Sequence, residues 1–64
     1  MNFKELLKKH GFNLSSLAIK LGVDRATTFY WVKHKAIPRR ETLERVAIIL
    51  EESIDTIVSA IVNN

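Results

Sequence analysis

Apolar residues recur at helical spacing along almost the whole chain. Phe3, Leu6 and Leu7, followed by His10, form a first stripe, and Leu14, Leu17, Ala18 and Leu21 form a second. Leu43, Val46, Ala47 and Leu50 repeat the pattern further on. Ile54, Ile57, Val58, Ile61 and Val62 then follow the i, i+3, i+4, i+7, i+8 rule that places side chains on one side of a 3.6-residue helix. No segment shows sustained alternation or a hairpin turn, so no strand is predicted. The predicted fold class is all-α: one domain over residues 1–64, a compact five-helix bundle with a helix-turn-helix at its centre.

The breaks between stripes are marked by residues with a local reason to be there. Asn2 is placed to cap helix one, with Glu5 three positions on to complete a capping box, and Gly11 to end it. Asn13 caps helix two, which stops at Gly22. Asp24 caps helix three, expected over about Arg25 to Lys33. Pro38 marks the start of helix four, which runs to about Leu50, and Ser53 caps helix five, expected over about 54–62.

Residues 14–33, LSSLAIKLGVDRATTFYWVK, carry a specific internal logic. Ala18 is small enough for two crossing helices to meet there, and Gly22 supplies the positive φ of a sharp reversal. Leu17, Leu21, Val23 and Trp31 are left to share a core, as in a helix-turn-helix. Three of the five aromatic residues, Phe29, Tyr30 and Trp31, stand side by side in the second helix of this unit. At about 100° per residue they fan over roughly 200° of the circumference. Trp31 therefore falls with Thr28 and Val32 toward the core, Tyr30 falls with Ala26 and Lys33 on the opposite side, and Phe29 lies on the flank.

Composition narrows the function. The chain has no cysteine, which removes disulfides and thiolate metal sites and points to a reducing cytoplasm. No apolar run approaches the roughly 20 residues of a membrane span, and no signal-type segment leads the chain, so a soluble intracellular protein is expected. Net charge is +3, unevenly spread: residues 25–45 carry six Lys/Arg against two acids, whereas residues 46–64 carry three acids and no Lys or Arg. A basic middle calls for an anionic partner. Neither a Ser/His/Asp set, a phosphate-cradling glycine loop nor a paired-carboxylate pocket is legible, and His10 and His34 do not make a metal site. No enzyme activity, cofactor, metal or small-molecule ligand is expected.

The span LAIKLGVDRATTFYWVKHKAIPRRETLERVAIIL resembles the lambda-repressor-like Cro/repressor (XRE) helix-turn-helix family, most tellingly in LAIKLGV, in the R-x-T that opens helix three and in IPRRETLERVA. The resemblance implies a double-stranded DNA partner, with helix two across the backbone and helix three in the major groove. It implies base contacts at Arg25, Ala26 and Tyr30. Thr27 is small enough for close approach to a base or a phosphate. Arg25 either reads guanine bidentately, touches a phosphate or pairs with Asp24. Phe29 either meets a thymine methyl, fills a protein interface or packs under the following loop. Phosphate contacts are expected from Asn13, Ser15 and Ser16 at the start of helix two, and from Lys33, His34, Lys35, Arg39 and Arg40 after helix three.

Several positions depart from the family pattern. His34 stands where glycine is frequent, Thr28 where a larger aliphatic is usual, and Leu14 where a glutamine commonly touches phosphate. Glu51 and Glu52 replace a Gly-Val pair, so a straighter or looser join between helices four and five is expected. The apolar fraction, 47%, is high for so short a chain. Ile57, Ile61 and Val62 are accordingly candidates for an isologous homodimer interface, against the alternative that the stripe is all core. The functional expectation is a repressor-like transcriptional regulator in a bacterial or phage-type cytoplasm. The rival from another class is a protein-interaction or antitoxin-type adaptor using Phe29 and Tyr30 as an aromatic hot spot.

Overall fold

A computed structural model describes residues 1–63 as five α-helices: α1 Phe3–Lys9, α2 Leu14–Leu21, α3 Arg25–His34, α4 Arg40–Leu50 and α5 Ile54–Val62. Three of the expected caps close as the local chemistry requires. Asn2 Oδ1 accepts the Glu5 amide at 2.9 Å while the Glu5 carboxylate accepts the Asn2 amide at 2.9 Å. Asn13 forms the same reciprocal box with Ser16, at 2.8 and 2.9 Å, and Ser53 Oγ accepts the Thr56 amide at 3.1 Å. Asp24 behaves differently. It holds the N-cap position of α3 in extended backbone, but its side chain makes no capping bond, leaving only its charge to favour the positive helix end.

Two helix limits differ from the expected ones. α3 continues through His34, and α4 starts at Arg40, two residues after Pro38. Arg39 is the α4 N-cap, extended at φ −63°, ψ 162°, and Pro38 instead lines a recess shared with Val23 and Trp31.

The first four helices end alike. Gly11, Gly22, Lys35 and Glu51 all adopt left-handed backbone, at φ 78°, 76°, 50° and 55°. The next residue in each case donates its amide five positions back: Phe12 to Leu7, Val23 to Ala18, Ala36 to Trp31 and Glu52 to Ala47, at 2.8 to 3.1 Å. This closure satisfies carbonyls that the helix leaves open, and glycine suits it because a Cβ is strained there. Two helices thus close without glycine. The left-handed residue after α3 is Lys35, not His34, and the α4–α5 join, expected to be straight or loose, makes the same tight turn through Glu51.

The core unites all five helices: Phe3, Leu6 and Leu7 from α1, Leu14, Leu17 and Leu21 from α2, Trp31 from α3, Leu43, Val46 and Leu50 from α4, and Ile57, Ala60 and Ile61 from α5. Phe3 and Trp31 meet edge to face, with centroids 6.5 Å apart and planes at 61°, which fixes α3 against α1. Thr28, fully buried, donates from Oγ1 to the Leu14 carbonyl at 2.8 Å, and Leu14 is itself buried. The two departures at 14 and 28 are therefore one contact between α2 and α3, and Leu14 has no access to phosphate. Ile57 and Ile61 are also fully buried within the single chain. Their assignment to a dimer interface is corrected: a bundle this small needs them to close its own core, and Val62 alone of the three is exposed.

Two polar ties complete the frame. Arg45 Nη2 donates to the Leu21 carbonyl at 2.8 Å, binding α4 to the end of α2 just before the helix-turn-helix reversal. His10 Nε2 lies 2.7 Å from Glu52 Oε2 across 42 positions of sequence, with Lys9 Nζ at 3.6 Å from the same oxygen. The hydrogen bond from His10 is the largest effect on the Glu52 carboxyl and outweighs the next, an opposing loss of hydration; with smaller help from the charges of Lys9 and His10 it holds the group below the usual carboxylate range.

Candidate nucleic-acid interface

α3 buries Thr28 and Trp31 and exposes the opposite side. Ala26, Tyr30 and Lys33 lie along the middle of that exposed side, with Tyr30 56% accessible. The Tyr30 ring tilts over His34, one turn on, with centroids 4.4 Å apart. Arg25 is exposed at the first turn, and neither it nor Asp24 forms an ion pair among the described residues. The Asp24–Arg25 pair weighed from the sequence is therefore absent, and the guanidinium is open to a ligand.

Thr27 and Phe29 mark the two flanks of this face, two residues and so about 200° apart around the axis. Thr27 is half-buried beside a notch of about 420 Å³ between α3 and the start of α4, whose wall includes Pro38, Arg39 and Arg45. Phe29, 46% exposed, borders a notch of about 350 Å³ between α1 and the start of α2, together with Asn13 and Ser15. Of the readings for Phe29, the structure shows a side chain that is partly exposed and lines a recess with residues of α1 and α2.

The polar residues at the α2 end divide by role. Ser16 is committed to the cap, its amide donating to Asn13 Oδ1 at 2.8 Å and its hydroxyl to the Asn13 carbonyl at 3.2 Å. Asn13 spends its side-chain oxygen on that cap and keeps its Nδ2 donors for another partner, while the Ser15 hydroxyl is half-buried at the notch. Beyond α3, Lys33, His34, Lys35, Arg39 and Arg40 are all exposed. Arg40 pairs with Glu44 at 3.6 Å, an exposed contact one turn along α4 and weak on general grounds.

The arrangement is an exposed helix face with a recess on each side: one is lined by Lys4, Lys8 and the amino end of α2, the other by Arg39, Glu41 and Arg45. Arg45 is a positioning residue that the sequence reading did not single out, because nothing in local spacing marks a side chain that bonds a carbonyl 24 positions away. Among the described residues no three His, Cys, Asp or Glu side chains gather to hold a metal ion, and no helix is long and apolar enough to cross a membrane.

A family model described as a Cro/C1-type HTH DNA-binding domain matches residues 2–62. Neither the curated proteins nor the solved structures return a significant match.

Proposed function

The chain belongs to the Cro/C1-type helix-turn-helix DNA-binding family, and from that premise we propose that it is a repressor-like transcriptional regulator that reads double-stranded DNA with α3 in the major groove. One observation supports this reading above the rest: the exposed face of α3 presents Arg25, Ala26, Tyr30 and Lys33 on a helix whose other side is locked into the core by Thr28 and Trp31. A rigid helix with a mixed cationic, aromatic and small-residue face fits a groove about 12 Å wide whose base edges offer acceptors, donors and methyls.

In this reading Arg25 takes guanine acceptors, Ala26 a thymine methyl, and Tyr30 a base edge or an adjacent phosphate. Phe29 and Thr27 border the contact on either side. Asn13, Ser15, Lys33, His34, Lys35, Arg39 and Arg40 hold the two backbones and set the register. Regulation follows from occupancy of an operator in a bacterial or phage-type cytoplasm. Two copies on half-sites one turn apart remain part of the proposal, but an α5 contact would rest on Val62 rather than on Ile57 or Ile61.

Fluorescence-anisotropy titration of labelled duplexes over a salt series tests the reading. The intact protein is expected to bind mixed-sequence DNA in the micromolar to submillimolar range and to weaken steeply with salt. Arg25→Ala and Tyr30→Ala are expected to flatten discrimination between selected and scrambled duplexes, the Arg25 change by about 1–3 kcal/mol if it makes a bidentate base contact. Absence of any salt-dependent binding at low ionic strength would overturn the proposal.

A further inference from the structure

The recess between α1 and the start of α2 has a composition that the α3 face does not explain. Its floor is apolar, from Leu7, Phe12, Leu14 and Phe29, and its rim carries Lys4 and Lys8. These two lysines lie one helical turn apart on the exposed side of α1, and neither forms an ion pair among the described residues. Their neighbour Lys9 is, by contrast, tied to Glu52. No acidic side chain lines the recess, so nothing local neutralises the pair. Lys4 and Lys8 belong to the amino-terminal third of the chain, outside the basic segment 25–45 that the charge distribution singled out.

Phe29 ties this recess to the proposed DNA face, since it lines the recess and is exposed on α3 next to Tyr30. Asn13 and Ser15 lie on its far wall, at the amino end of α2. A cleft with two unpaired cations, polar hydrogen-bond donors and an apolar floor matches one repeating unit of a nucleic-acid strand. The phosphate takes the cations and donors, and the deoxyribose carbons lie on the rings and aliphatic groups.

We infer that Lys4 and Lys8 form a second cationic clamp, on α1, that seats a DNA backbone segment against Phe29 and Phe12 and lengthens the contact beyond the helix-turn-helix. This rests on α3 facing DNA, as proposed above. The clamp on α1 sits on the Phe29 flank of α3, and Arg39 sits on the Thr27 flank, in a recess that Glu41 also lines. The protein then grips both edges of the groove, and not only the edge next to the basic loop.

The test measures the salt slope of duplex binding for the intact chain, Lys4→Ala/Lys8→Ala, Lys4→Arg/Lys8→Arg and, as a control outside the recess, Lys20→Ala. Each lost phosphate contact lowers the slope by about 0.9. The alanine pair is therefore expected to flatten it by nearly two, so that between 50 and 200 mM salt the intact chain loses about tenfold more affinity than the variant. The arginine pair is expected to keep the intact slope, Lys20→Ala to leave it unchanged, and hydroxyl-radical footprinting to show that the alanine pair exposes a backbone segment the intact protein protects. Thermal unfolding of each variant checks that the helices persist. If the intact chain binds and the alanine pair keeps both slope and footprint, the clamp is wrong while the α3 reading stands. If the intact chain shows no salt-dependent binding, the α3 reading itself fails.

Discussion

Lys35 and Glu51 occupy a backbone conformation that costs an L-residue roughly 1–2 kcal/mol. Glycine removes that strain but gives back part of the gain by freeing the unfolded chain, by about 0.4–1 kcal/mol. Glu51→Gly is therefore expected to stabilise the fold by about 0.5–1 kcal/mol, read as a rise in the urea midpoint without a change in slope. Lys35→Gly is expected to give the same gain in stability and simultaneously to weaken DNA binding, because it deletes a cation beside α3. A loss of stability in either variant would mean that the side chain supplies a contact outweighing the strain. Thr28 shows the opposite economy: its buried hydroxyl bonds the Leu14 carbonyl, and Thr28→Val, nearly the same shape, is expected to cost about 1 kcal/mol.

At the level of elements, what was legible in the sequence was what is local. The caps at Asn2, Asn13 and Ser53 and the stops at Gly11 and Gly22 depend on residues within a few positions, and helical periodicity exposed every core stripe. The left-handed closures at Lys35 and Glu51 were not legible, because those residue types carry no preference for that conformation. The Arg45–Leu21 and His10–Glu52 ties were invisible for a different reason, being contacts between distant parts of the chain. Periodicity likewise showed an α5 stripe without saying who covers it. Since Ile61 is core and Val62 is surface, Ile61→Asp is expected to abolish cooperative unfolding, whereas Val62→Asp leaves the Tm within a few degrees. Circular dichroism melts decide this, and sedimentation of Val62→Asp against the intact chain reports whether α5 contributes to any association.

The α1 to α4–α5 tie gives a pH dependence whose sign follows from the Glu52 carboxyl. Its affinity for protons is lowered in the folded state, chiefly by the His10 hydrogen bond, so the unfolded chain binds the proton more readily. The stabilising contribution is fully present above the ordinary carboxylate range and fades as pH falls through the depressed value of the folded state. Glu52→Gln is expected to lower the Tm at neutral pH and to narrow its difference from the intact protein in acid. An equal difference at both pH values would assign the effect to packing of the side chain and not to its charge.

At the scale of the whole molecule, the fold is small, 24 × 22 × 22 Å in extent, and six of its ten Lys/Arg fall within residues 25–45, on α3 and in the segment that follows it. The core side of α3 is rigid, its outer side is chemically mixed, and cations gather near its carboxyl end. On the proposed reading, base recognition and backbone holding fall to different side chains that respond differently to salt, so the two are expected to separate in experiment. Lys33→Ala/Lys35→Ala is expected to lower the salt slope by about two, at about 0.9 per phosphate contact, and to weaken all duplexes alike. Tyr30→Ala is expected to leave the slope nearly unchanged and to reduce the preference for a selected operator. Two slopes and two specificity ratios, measured on the same pair of duplexes, distinguish this division from a surface on which every residue does both. If Tyr30→Ala lowers the slope while discrimination survives, Tyr30 holds phosphate, and the reading of bases falls to Arg25 and Ala26 alone.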